Sequence, residues 1–280
     1  MRVLVTGATG RVGSRLVPRL IQRGHAVRVL VRDPASAAAL QAQGSHLVRG
    51  DLTDADSLAQ AVAGMDAVVH LAAFFRGATP EQAQAVNCDG TSALARAALA
   101  AKVARFVFTS TNLVYGPGHG GRLAEQEPAR PTSPYPKSKA AAEAALLALQ
   151  ATQGLGLRIL RLAFVYGDGD PHLTEGLQWF RGWNPAQQMH LIHHADVAQA
   201  VSLTLAAPGV DGEIYNVADD APVAAGEILH LCGEDPAPGA ASRPIDPAFH
   251  QLVDTSKIRR ALGFRPQYPA LRDAVAAGAL

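Results

Sequence analysis

Short runs that are apolar almost throughout alternate with longer stretches of helical composition along the first 165 residues. "RVLVT" precedes a helical pattern at 11–23, "AVRVLVR" one at 34–42, "HLVRG" one at 54–62, and "DAVVHLA" a long Ala-rich one at 80–101. "RFVFTS", a helical stretch at 134–153 and "LRILRLAFV" continue the rhythm. Strands without polar alternation, separated by helices, predict a parallel sheet covered on both faces. The class is therefore α/β, doubly wound. Beyond Val165 the rhythm loosens. "YGDGDPHLTEGLQWFRGWNP" and "CGEDPAPGAASRPIDP" are rich in Gly and Pro, which suits a small lobe resting on the main sheet better than an independent domain. The division expected is a core over 1–165 and a mixed C-terminal region over 166–280. In that region a substrate-side lobe covers about 167–192 and 220–270, and about 193–218 returns to the core.

Composition narrows the classes of function. With 48% apolar residues the 280-residue chain can bury a large core. Its 25 Lys and Arg against 24 Asp and Glu, without long like-charge blocks, give no counterion-driven hold on nucleic acid and no polybasic membrane anchor. No apolar run approaches the roughly 18 residues that span a bilayer, and the first strand candidate starts at Arg2, so a cytoplasmic protein is expected. Cys88 and Cys232, at no metal-like spacing, fit a reducing compartment.

"VLVTGATGRVGSRL" sets Gly7, Gly10 and Gly13 between the first strand and the first helix. Gly7 permits the tight turn, Gly10 lets backbone N–H groups approach a pyrophosphate, and Gly13 lets helix and strand pack closely. The reading is a Rossmann-like dinucleotide site. An acidic side chain at the end of the second strand holds the adenosine ribose of NAD, whereas a 2′-phosphate needs a cation. Here "VRVLVRDP" puts Val31 at the carboxylate position, followed by Arg32 and Asp33. A guanidinium fork suits a phosphate, so NADP is preferred over NAD, with Arg32 as its reader. Arg32 as a solvated strand-end charge and Asp33 as a helix cap is the competing reading. Asp51 in "GDL" can meet the adenine amino group or cap the next helix.

"SPYPKSK" starts a helix that tolerates Pro134 and Pro136 in its first turn, so Tyr135 and Lys139 share a face. An ammonium near a phenol lowers its pKa towards the range of a general acid/base, which suits proton transfer at a carbinol oxygen while hydride moves to nicotinamide.

At this point the chain resembles the extended short-chain dehydrogenase/reductase family, the NAD-dependent epimerase/dehydratase-like enzymes. The resemblance runs through "TGATGRVG", "GDL", "HLAA", "VNCDGT", "FTSTNLVYG", "YPKSK", "RLAFVYG", "HHADVAQA", "EIYNVAD" and "DTSKIRRALGFRP". It implies Tyr135 as acid/base, Lys139 as the residue that binds nicotinamide ribose and tunes the tyrosine, and Thr111, with Ser110 as close competitor, at the reacting oxygen. The expected cofactor path runs along Gly7, Thr9, Gly10, Arg11, Val12 and Gly13, then Arg32, Asp51, Leu52, Leu71, Ala72, Ala73 and Asn87. Asn87 is the asparagine that orders the local hydrogen bonds, and a homodimer through the Ala-rich helices is implied as well.

Substrate residues are fewer. Nucleotide-sugar relatives carry an arginine where this chain has Met189, while Arg243 in "SRPIDP" matches a second diphosphate arginine. Trp179, with Phe180 and Trp183, can wall a substrate pocket, fill the lobe or make a subunit contact. His190, His193 and His194 lack a carboxylate or cysteine pattern that would complete a metal site, and none is expected. The leading expectation is an NAD(P)-dependent oxidoreductase acting on a small carbonyl or alcohol. Its alternatives are an NAD-dependent nucleotide-sugar epimerase or dehydratase and a non-catalytic NADP-sensing protein.

Overall fold

The computed structural model describes residues 1–75, 77 and 79–280. The strands are β1 (Arg2–Thr6), β2 (Ala26–Val31), β3 (His46–Arg49), β4 (Ala67–His70), β5 (Arg105–Thr111), β6 (Leu157–Leu162), β7 (Phe164–Tyr166), β8 (Gln188–Met189), β9 (Leu191–His193), β10 (Glu213–Val217) and β11 (Val223–Ala224). The helices are α1 (Arg11–Gln22), α2 (Ala38–Ala42), α3 (Ala55–Val62), α4 (Pro80–Gln84), α5 (Thr91–Ala100), α6 (Pro134–Gln153), α7 (His172–Phe180), α8 (His194–Ala206), α9 (Ala225–Leu231), α10 (Ser256–Leu262) and α11 (Leu271–Ala276).

Among the described residues seven strands form the main sheet, in the order β10-β6-β5-β4-β1-β2-β3. β1 pairs in parallel with β2 and β4, β2 with β3, and β4 with β5. Chain order reverses on either side of β1, so this is the doubly wound, Rossmann-like arrangement whose crevice opens beyond the carboxyl ends of β1 and β4. The strands that read as apolar throughout are buried throughout: Val3, Leu4 and Val5 in β1, and Ala67, Val68 and Val69 in β4, are all inaccessible to solvent.

Two compact units are present. The first comprises Met1–Thr111, Ser133–Leu160 and Ala200–Ile214. Leu4, Leu58, Leu94, Phe106 and Leu146 pack in its core. The second comprises Asn112–Thr132, Arg161–Gln199 and Tyr215–Leu280, around Tyr166, Leu173, Phe180, Leu191 and Ile228. In the second unit Asn216 acts as a tie. Its Oδ1 accepts from the Tyr115 hydroxyl at 2.8 Å, and its Nδ2 donates to the Leu123 carbonyl at 3.0 Å.

Two departures from the hydrophobic pattern are informative. The apolar run 157–165 is broken at Ala163, so that β6 belongs to the main sheet and β7 pairs with β9 in a separate two-stranded sheet. The long Ala-rich stretch is α4 and α5 joined by a π-helical turn at Ala85–Gly90. A turn of this kind takes in one extra residue and is frequent at functional sites. No described helix is long and apolar enough to cross a membrane.

Candidate active site

The turn after β1 is set by backbone contacts. Gly7 has φ +69°, and a Cβ there would lie 2.5 Å from the Ala72 nitrogen in the segment following β4. At Gly13 a Cβ would stand 2.2 Å from the Gly7 carbonyl oxygen and 2.6 Å from the Ala8 Cα. Both positions exclude any side chain. Gly10 is different, since its nearest neighbour would be the Gly7 oxygen at 3.2 Å. It caps α1 without a side-chain hydrogen bond, and no acidic residue stands in the first turn. The N-terminal N–H groups and the positive end of the helix dipole are thus left for an anion, so the turn fits a dinucleotide pyrophosphate. Thr9 and Arg11 are exposed on either side of Gly10, and Val12 is half-buried.

The adenosine side lies at the ends of β2 and β3. Arg32 is exposed. Asp33 caps the short 3₁₀ turn at Pro34–Ala37, its carboxylate accepting from the Ala35 N–H at 3.0 Å. Asp51 accepts from both the N–H (2.9 Å) and the hydroxyl (2.8 Å) of Thr53. Those bonds, with Arg32 nearby, hold its carboxyl below the usual range. Asp51 is therefore a turn residue in this structure, with Leu52 buried behind it in the core.

Tyr135 and Lys139 lie in the first turns of α6, which Ser133 precedes in extended conformation and Pro134 opens. Lys139 is sunk against β5, with Nζ 3.9 Å from the centre of the Phe108 ring. Burial pushes its pKa down to about 7, against a smaller opposing pull from Glu143 one turn further on. The phenol departs from expectation. No hydrogen bond joins Tyr135 to Lys139, and burial raises the phenol pKa instead of the ammonium lowering it. The cause is the direction each side chain takes: Lys139 lies on Phe108, while the Tyr135 ring meets the edge of Phe75 at a centroid distance of 4.9 Å and an angle of 79°. Hydrogen bonds of this type commonly tighten only around bound substrate.

Ser110 and Thr111 end β5, both buried. Alternation along the strand puts Thr111 on the face of Thr109, whose hydroxyl donates to the His70 carbonyl at 3.1 Å, and Ser110 on the other. The Ser110 hydroxyl is enclosed without a hydrogen-bond partner among the described residues. His70 is structural. It lies between the hydroxyls of Thr6 (2.5 Å) and Thr91 (2.7 Å), and burial pushes its pKa down to about 3.

Asn87 sits in the π-helical turn and spends its whole amide on neighbours. Its Oδ1 accepts from the Phe74 N–H at 2.7 Å, and its Nδ2 donates to the Phe74 carbonyl and the Ser138 hydroxyl, both at 2.9 Å. The Ser138 hydroxyl donates in turn to the Tyr135 carbonyl at 2.8 Å. The segment Leu71, Ala72, Ala73 therefore leaves β4 beside the glycine turn and arrives, through Phe74, at the tyrosine. Ser138, Phe74 and Phe75 were not singled out from the sequence. The one available signal was two adjacent phenylalanines in a stretch otherwise lacking strand or helix periodicity.

In the second unit the Arg243 guanidinium donates to the Gly182 carbonyl, and Asn184 holds the Arg243 carbonyl at 2.6 Å. Trp179 is 38% exposed, whereas Phe180 is buried against Trp183 and Phe164. Met189 packs on the core of this unit. Each histidine of "HLIHH" has a protein partner: His190 accepts from the Val253 N–H, His193 meets the Ala279 carbonyl, and His194 meets Asp170. The described residues contain no group of three potential metal ligands.

Residues 3–218 match the NAD dependent epimerase/dehydratase family. The chain belongs to that family. It is an enzyme of the short-chain dehydrogenase/reductase type, as its relatives are. A dTDP-glucose 4,6-dehydratase from Streptomyces niveus is 32% identical over 95% of this chain and 88% of its own length. A 4-hydroxy-2-methyl-3-oxo-4-farnesyl-3,4-dihydroquinoline-1-oxide ketoreductase from Stigmatella aurantiaca is 32% identical over 98% and 86%. Among solved structures, DesIV, a dTDP-glucose 4,6-dehydratase from Streptomyces venezuelae with NAD and TYD bound, superimposes with a TM-score of 0.83 at 31% identity, covering 99% of this chain and 95% of that one.

Proposed function

We propose that this family member oxidises a carbinol or reduces a ketone, with Tyr135 as the acid/base at the reacting oxygen. The observation that carries the reading is α6, which presents Tyr135 one turn before a lysine buried against β5, with Thr111 and Ser110 at the end of that strand. Nicotinamide, when bound, supplies or accepts the hydride. Tyr135 gives a proton to the oxygen during reduction and takes it during oxidation. Thr111, or Ser110 from the opposite face of the strand, holds that oxygen by a hydrogen bond. Lys139, with its pKa near neutrality, stays close enough to the charged form to bind a ribose hydroxyl and to steady the phenolate. Arg32 reads the adenosine end and favours NADP. The bound NAD of the relative's structure supports NAD, and the two cofactors compete as readings. Tyr135→Phe is expected to lower kcat by roughly 10²–10⁴ while leaving nucleotide affinity within about twofold, because it removes a proton carrier and little contact area. Turnover near the native rate would end the assignment.

For the substrate, the relatives support a nucleotide-activated sugar, processed by an epimerase or dehydratase that retains NAD, better than they support the small carbonyl compound expected from sequence. A second reading, a ketoreductase with exchangeable cofactor, is favoured by the site itself. Eliminating water from a sugar needs an acid and a base besides the tyrosine, and the described residues lining the cavity at Tyr135 include no carboxylate. Met189, partly buried and packed against the core, supplies no cation for a diphosphate. Mass spectrometry of the nucleotide released from purified protein separates the two: stoichiometric NAD supports the first, whereas empty protein that binds NADPH reversibly supports the second. Cytoplasmic location and homodimer assembly accompany either reading.

A further inference from the structure

Phe74 and Phe75 are among the most exposed large apolar side chains of the described residues, at 38% and 45%, and they stand together next to Tyr135. Their placement is not loose. Asn87 clamps the Phe74 backbone from both sides and is bonded through Ser138 to the helical turn that carries Tyr135. Phe75 packs edge-on against the Tyr135 ring itself. The two rings, with Ala83, Pro134, Ser133 and Tyr135, line a cavity of about 210 Å³. No charged side chain lines it among the described residues, and the Ser133 hydroxyl is its one polar side-chain group apart from the tyrosine. An apolar cavity of about 150 Å³ suffices for a benzene ring, so the space matches one ring-sized hydrocarbon group. A ring bearing several hydroxyls would find few side-chain partners here among the described residues.

We propose that Phe74 and Phe75 are specificity-determining residues: the wall they form takes an apolar ring attached to the reacting carbonyl or carbinol carbon and lays that carbon against Tyr135. The substrate class is thus an aryl or alicyclic ketone, or the matching alcohol. The proposal rests on Tyr135 being the acid/base and sides with the ketoreductase reading.

The test uses the full chain with NADPH or NADH and two probe ketones, α-tetralone and dihydroxyacetone. The native enzyme should prefer α-tetralone in kcat/KM by tenfold or more. Phe75→Ala should lose at least ten times more kcat/KM on α-tetralone than on dihydroxyacetone, mainly through KM, and Phe75→Leu, which keeps an apolar surface, should recover most of the loss. Nucleotide titration of each variant checks that it is folded. Calorimetric titration of α-tetralone into Tyr135→Phe charged with cofactor reads the wall without turnover: binding should persist there and weaken about tenfold when Phe75→Ala is added. A preference for dihydroxyacetone, equal losses on both ketones, or α-tetralone binding that is absent or indifferent to Phe75 overturns the wall. Turnover by Tyr135→Phe with binding still dependent on Phe75 overturns the tyrosine's role and leaves the wall standing.

Discussion

The turn after β1 and the segment after β4 touch, since a Cβ on Gly7 would collide with Ala72, yet they are built on opposite terms. In the turn, backbone packs on backbone and two of the three glycines admit no other residue. In the segment, large side chains project from a backbone that one asparagine holds in place. A cofactor of constant shape can be met by fixed backbone, whereas a substrate is met by side chains that can be exchanged without disturbing the strand beneath. The first region is therefore intolerant of change for reasons of folding, and on the proposed reading the second is so for reasons of selectivity.

The strongest way to test this contrast is Gly13→Ala. Its methyl would fall 2.2 Å from a backbone oxygen that cannot yield, so about 2 kcal/mol or more of stability should be lost, with a lower Tm and no saturable nucleotide binding. A variant of native Tm would show that the turn has slack. Lys139→Met addresses the helix that carries Tyr135. The lysine's folded pKa, near 7 against an ordinary 10.5, means the unfolded chain binds more protons between those values, so native stability should climb as pH rises through that window, with the full cost of the buried ammonium felt below it. The methionine variant should flatten this climb and raise Tm at pH 6 by roughly 2–4 °C for each kcal/mol recovered, while turnover collapses. A climb that survives the substitution would place the titrating group elsewhere. Gly10→Ala separates binding from folding within the turn. Its methyl meets only one oxygen, at 3.2 Å, so Tm should fall by no more than about 2 °C, yet nucleotide affinity should drop if the pyrophosphate approaches here as proposed. The smallest effect belongs to Arg32→Ala, which should weaken NADP more than NAD by on the order of tenfold. Equal losses would return Arg32 to the role of a solvated strand-end charge.

Legibility in the sequence followed the same division. The strands β1 to β5 and the glycine turn were readable because their constraints are local: an unbroken apolar run must be buried on both faces, and a glycine triplet between strand and helix has few structural uses. The run 157–165 misled because apolar content does not register the change of sheet at Ala163. The Ala-rich stretch 80–101 concealed its π-helical turn for a related reason, since alanine on every face leaves periodicity nothing to mark. Spacing put Tyr135 and Lys139 on one face of α6 but could not tell that Lys139 would sink onto Phe108 while the tyrosine turned to Phe75. That outcome depends on residues 31 and 60 positions away in the chain. Phe74, Phe75 and Ser138 went unread because their role comes from the hydrogen bonds of Asn87, which no pattern of hydrophobicity records.

The π-helical turn at Ala85–Gly90 also bears on which length changes this chain can absorb. Removing one residue from it would leave a continuous, regular α-helix from Pro80 to Ala100 of undiminished helical propensity, and the loss would look harmless in any tally of secondary structure. The two ends of that helix would keep nearly their present relative orientation, because the wide turn already absorbs its extra residue, but the turn that presents Asn87 would be gone. Asn87 would then lose the local geometry in which it clamps the Phe74 backbone. The turn is intolerant of a single deletion, a form of fragility that point mutagenesis alone would never reveal.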